Sequence, residues 1–159
     1  MDTAPFLAYL DGRHVRWQLT LDQCVDEAGD DPRARLLAVF DALRSWAASS
    51  PGFRGCALVN AMVELADPRH PARSVTAAHK RALRARMLEL AEATGAPDPG
   101  LLVDQLLLVY EGAIAAHAVA SVEKAEDKAH LTARRLIAAA TPYPMDTFWA
   151  GPDPMSREV

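Results

Sequence analysis

The segment DPGLLVDQLLLVYEGAIAAHAVA, residues 98–120, sets the class of this protein. Asp98 followed by Pro99 is a helix start, because Asp caps free N–H groups and proline in the first turn loses nothing by lacking one. From Leu101 onward the segment is apolar nearly all round, which requires neighbours on every side. It nevertheless carries Asp104, Gln105, Glu111 and His117, and a central acidic residue costs about 2.5–3.5 kcal/mol on membrane-insertion scales. It is therefore read as a buried helix and not a membrane span. Gly112, Ala116 and Ala120 form a row of small residues, flanked by Ala113 and Ala115, along which another helix backbone can come close.

Working outward, residues 122–140 form a further helix with a narrow stripe through Ala125, Ala129, Ala133, Leu136, Ile137 and Ala140. Upstream, Val75, His79, Ala82, Leu83, Met87 and Leu90 mark a long amphipathic helix. It follows the breaker-rich turn Asp67-Pro68-Arg69-His70-Pro71, ends at Gly95, and bears Lys80, Arg81, Arg84 and Arg86 on its other face. A short apolar helix spans 57–66, with Asn60 and Glu64 as its polar residues, so it is expected to be largely enclosed. Asp31-Pro32 starts a helix that turns Leu36, Leu37, Phe40, Leu43 and Ala47 inward and stops near Ser49, Ser50, Pro51 and Gly52. The first helix, 3–28, aligns Leu7, Leu10, Trp17, Leu21 and Val25 and is closed by Gly29, Asp30 and Asp31. No strand pattern or repeat interrupts the series. The expectation is an all-α bundle of about six helices over 1–140, followed by a tail, 141–159. Its four prolines forbid a helix, while Tyr143, Phe148 and Trp149 make it more apolar than a solvated tail.

Composition narrows the function. With 159 residues, half of them hydrophobic, the chain makes one domain. Alanine makes up about a fifth of it, which favours helix. A net charge of −4 leaves no basic field to hold a phosphate backbone. Cys24 and Cys56 are too far apart for CxxC chemistry or a zinc framework. No signal-peptide pattern opens the chain, since Asp2, Pro5 and Asp11 interrupt it. Reduced thiols and a cytoplasmic location are expected.

Catalytic chemistry finds little support. The serines lack a Gly-x-Ser-x-Gly elbow, no Gly-rich phosphate loop occurs, and the five histidines show no metal-ligand spacing. No catalytic residue, metal or cofactor is assigned. A rival reading is a small helical metalloenzyme using His14, His79 or His117 with Glu64 or Glu111. What the sequence offers instead is enclosed apolar volume with few polar groups, suited to a small apolar or amphipathic ligand. Trp46, Phe53, Cys56, Asn60, His79 and Tyr110 are the candidate lining, with Met62 and Met87 beside them and Asn60 and His79 as orienting polar groups. The small-residue row of Gly112, Ala116 and Ala120, with Ala133, Leu136 and Ile137 on the last helix, points to a homodimer built as a four-helix interface.

The order of segments resembles the C-terminal regulatory domain of tetracycline-repressor (TetR) family transcription factors. The likeness is carried by Phe6-Leu7-Ala8-Tyr9-Leu10, then Asp31 through Asp41 (DPRARLLAVFD), then Phe53-Arg54-Gly55-Cys56 leading to Val59-Asn60-Ala61. Asp67-Pro68 before His70-Pro71, Ala78-His79-Lys80-Arg81 and Asp104 through Ile114 complete it. The resemblance implies a non-enzymatic, effector-binding domain that dimerises through its last two long helices, 98–120 and 122–140. It also implies an N-terminal helix-turn-helix that this sequence lacks, so DNA contact is expected only through that missing head. A headless interaction or decoy subunit that pairs with full-length relatives is the alternative.

Overall fold

The computed structural model describes residues 3–49, 56, 60, 64 and 67–142. Among these residues the chain forms five helices and no strand: α1 (Ala4–Glu27), α2 (Pro32–Ser49), α3 (Pro71–Ala93), α4 (Pro99–Ala118) and α5 (Ala125–Ala140). The expected helix at 57–66 lies mostly outside the described residues, although Asn60 and Glu64 have helical backbone. The Pro and aromatic tail from Tyr143 onward lies outside them altogether.

Local chemistry sets the helix starts. Asp31 Oδ1 accepts from Arg33 N at 3.0 Å at the head of α2, and Asp98 Oδ1 accepts from Leu101 N at 2.9 Å at the head of α4. His70 Nδ1 accepts from Ala72 N at 3.2 Å and caps α3. Gly29 and Gly95, at φ +78° and +74°, take the left-handed conformation that ends α1 and α3. Arg35 ties the α1–α2 turn by donating to the carbonyls of Val25 and Gly29.

Two boundaries depart from the periodicity. α4 stops at Ala118, and Ala120 sits beyond it at φ 53°. Ser121 N there donates to Ala116 O and Ala120 N to His117 O, both at 3.1 Å, a helix-ending motif usually built on glycine. α5 then begins only at Ala125, after Lys124 in the same left-handed region.

α2 is the central helix and packs on α1, α3 and α5, while α4 bridges α3 and α5. The core is built from its Leu36, Val39, Phe40 and Leu43 with Val25 of α1, Met87 of α3, Leu102 and Leu106 of α4, and Ala133 and Ile137 of α5. By length and composition α4 is apolar enough to cross a bilayer, the one such helix among the described residues. Its Asp104, Glu111 and His117, however, are ion-paired to Arg84, Lys80 and Glu126 of the flanking helices. Leu108 is 76% exposed and Val119, just past the helix end, 73%, so the described residues do not enclose the segment on every side.

Candidate functional site

The inward stripe of α1 runs Leu10, His14, Trp17, Leu21 and Val25, in steps of four or three. Trp17 is carried by that register to a point where three helices meet. Its ring stands edge-on to Trp46 of α2, with centroids 5.8 Å apart, and 6.1 Å from Tyr110 of α4. Phe40 of α2 meets the same Tyr110 edge-on at 6.2 Å. Cys56 packs against this cluster's core side. Burial pushes the Tyr110 phenol well above its ordinary value, and the charges of Cys56 and Glu111 add to that shift.

Two cations rim the aromatic nest. The Arg13 guanidinium lies 5.5 Å from the Trp46 ring and 5.8 Å from Tyr9. The Lys80 ammonium, paired with Glu111, lies 5.9 Å from Tyr110. The nest is therefore an apolar, π-rich contact among three helices, with the phenol of Tyr110 buried in it.

Of the expected lining, Trp46, Cys56 and Tyr110 meet here. His79 is one residue along α3 from Lys80 but is held by α1: its ring stacks on His14, and its Nε2 is 3.2 Å from Asp11 Oδ1. Asn60 is exposed and Met87 is fully buried in the core, while Phe53 and Met62 lie outside the described residues. The sequence reading placed Trp17 on the inward face of its helix without giving it a place at the site. Its only signal was a tryptophan one turn from a histidine on the same stripe.

The histidine and acid set of the metalloenzyme rival does not assemble. His117 pairs with Glu126, Glu111 with Lys80, and Glu64 is exposed, so only His14 and His79 meet. Among the described residues no three His, Cys, Asp or Glu side chains are placed to hold a metal ion.

The small-residue row changes in composition. Gly112 is exposed, and a Cβ built there meets nothing within 4 Å. Ala116 is half-buried beside it, while Ala120 has left the helix. On α5, Ala133 and Ile137 have no exposed surface in the single chain, because the stripe that holds them faces α2 and α4. They are core residues, and Leu136 at the edge of that stripe is half-buried. The outward row of α4 is instead Leu101, Gln105, Leu108, Gly112 and Ala115, with Val119 beyond the helix end, again in steps of four and three.

The family model described as tetracyclin repressor-like, C-terminal domain, matches residues 32–136. The fold is similar to the crystal structure of a TetR-family transcriptional regulator from Streptomyces coelicolor, with a TM-score of 0.77 and 25% sequence identity over 85% of this chain. The chain spans 66% of that protein, less than two thirds of its length. No curated protein matches the chain. With a family match over most of its helices, the chain belongs to the tetracyclin repressor-like C-terminal domain family.

Proposed function

We propose that this chain is the effector-binding and dimerisation domain of a TetR-family transcriptional regulator, acting in the cytoplasm as a homodimer, with DNA read by a helix-turn-helix outside these residues. A small apolar or amphipathic effector is held beside Trp17, Trp46, Cys56 and Tyr110, with Phe53, Asn60 and His79 as the remaining candidate contacts. The observation that carries the reading is the aromatic nest, which draws side chains from α1, α2 and α4 to one place. A ligand seated there touches three helices at once. It shifts their spacing only if it binds one arrangement more tightly, with coupling of about 1–3 kcal/mol being typical.

The outward row of α4 supports the dimer. Leu101 and Leu108 of that helix and Val119 just past its end are exposed apolar residues, and Gly112 and Ala115 of the same row allow close approach of a second copy. Ala116 and Leu136, both half-buried, remain candidate contacts.

Native mass spectrometry of the chain purified from its own host tests both halves. The expected spectrum is a dimer that retains a small organic molecule, with the added mass lost in Trp46→Ala and the dimer lost in Leu108→Glu. A monomer, or an added mass indifferent to Trp46→Ala, counts against the reading.

A further inference from the structure

His14 of α1 and His79 of α3 lie face to face, with ring centroids 3.7 Å apart and planes 3° from parallel. They join two helices that otherwise meet sparingly, since α1 packs far more extensively on α2 than on α3. Two imidazoles in this arrangement cannot share a metal ion. Their lone pairs lie in the ring planes, and parallel planes separated by a stacking distance do not converge on one point.

What the rings do share is a constraint on charge. A proton on His79 is met by Asp11, 3.2 Å from Nε2. The other nitrogen of that ring, Nδ1, is buried with no hydrogen-bond partner among the described residues, so nothing accepts from an N–H there. The charge of a protonated His14 ring lies over the face of the ring it stacks on, and two cations at that distance in a partly desolvated seam repel strongly.

We propose that His14 and His79 form an acid-operated latch between α1 and α3: the seam is closed while at most one of the two rings carries a proton and parts when both do.

The other charges along the seam are paired away from the two rings, Asp22 and Arg86 with each other across it. On α1, Arg13 is turned to Tyr9 and Trp46, and Asp22 lies 3.9 Å from Arg86 of α3. On α3, Lys80 is tied to Glu111 of α4, Arg84 to Asp104 of α4, and Arg86 also to Glu89. Among the described residues Asp11 is the carboxylate that offsets positive charge at the rings, and its side chain is 60% exposed, where solvent screens it. Burial and the neighbouring His79 hold His14 below the ordinary histidine range, with Asp11 opposing them. A folded value below the unfolded one means that the open chain binds more protons. The stability of the closed seam therefore declines progressively as pH falls below about 6.5.

Opening has a structural target. A groove of about 300 Å³ follows the same seam, lined by His14, Trp17 and Leu21 of α1 and by Ala82, Leu83 and Arg86 of α3. Trp17 stands between this groove and the aromatic nest, so release of the latch changes access to the nest from outside.

The test is an NMR titration of the histidine rings from pH 8 to 5, with amide hydrogen exchange followed along α1, α3 and α5. His14 is expected to titrate below a histidine in an unfolded peptide. Protection of the amides around residues 11–18 and 76–83 is expected to fall by up to about tenfold per pH unit, the limit for uptake of one extra proton, while α5 keeps its protection. His14→Phe, which retains a stackable ring that cannot be protonated, is expected to lose that acid-dependent fall. An ordinary His14 titration, or seam protection that does not change with pH, overturns the proposal. So does a folded His14→Phe protein that opens in acid as the unmodified chain does. The titration and exchange of the unmodified chain decide the question even where the variant folds poorly. No effector enters the experiment, so its failure leaves the effector reading standing.

Discussion

Trp17 of α1 and Trp46 of α2 meet in a T-shaped pair, their planes 82° apart, and the Trp17 indole lies 6.1 Å from Tyr110 of α4. One half-buried side chain thereby closes a contact among three helices. Trp17→Ala is expected to cost about 2–4 kcal/mol, near or below the low end for a buried tryptophan because part of the ring is already exposed. Urea unfolding followed by circular dichroism measures it, and Trp17→Phe should recover much of the loss. A cost below about 0.5 kcal/mol would mean that the nest is not a unit.

Gly112 separates the folding of the chain from its assembly. A methyl group there meets nothing within 4 Å, and helical alanine is favoured over glycine, so Gly112→Ala should stabilise the dissociated chain by about 0.5–1 kcal/mol. Gly112→Leu should instead weaken self-association by at least about tenfold, since its branched side chain blocks backbone approach. Urea unfolding of the dissociated chain reads the first effect and sedimentation equilibrium across a dilution series the second, and a dimer indifferent to Gly112→Leu moves the interface off this row.

Ala120 and Gly29 predict changes of opposite sign. Ala120 occupies a left-handed position, φ 53°, that ends α4, and glycine takes that conformation without the Cβ strain. Ala120→Gly should raise stability by about 1 kcal/mol. Gly29→Ala, at φ 78° with open space around its Cβ, should lower it by a similar amount through backbone strain alone. Thermal melts of the two variants give the comparison directly.

Alkaline pH should act through Tyr110. Its folded value is raised by burial first and by Cys56 and Glu111 after that, so the unfolded chain gives up this proton earlier. The associated stability is fully present below about pH 10 and is lost as pH rises toward the folded value. Absorbance at alkaline pH should show one tyrosine that ionises only as the fold melts, and Tyr110→Phe should remove that step.

Cys24 should react slowly. Burial, with Asp41 and Glu27 adding negative charge, raises its thiol above the ordinary value, which lowers the thiolate fraction at pH 8. Mass spectrometry after timed alkylation is expected to find Cys24 modified more slowly than an unfolded-peptide thiol. Equal rates would contradict the burial argument.

What the sequence determined by itself is local. Asp31-Pro32 and Asp98-Pro99 start helices because a carboxylate reaches backbone N–H groups two or three residues ahead, an interaction complete within one turn. The stripe Leu10–Trp17–Leu21–Val25 follows from helix period alone, and the order of segments along the chain was sufficient to indicate the family. Tertiary structure decided everything that depends on which face meets which. Ala133 and Ile137 share a stripe with Leu136, but only packing shows that the stripe turns into the core and not toward a second copy. Asn60, polar on an apolar segment, ended exposed. His14 and His79 each fell on or beside an inward stripe, yet nothing sixty-five residues apart in the chain announces that their rings stack. Periodicity gives the angle at which residues share a helix face. The rotation of that face, and the neighbour it meets, are set by side chains distant in sequence that fit together only once all the helices are in place.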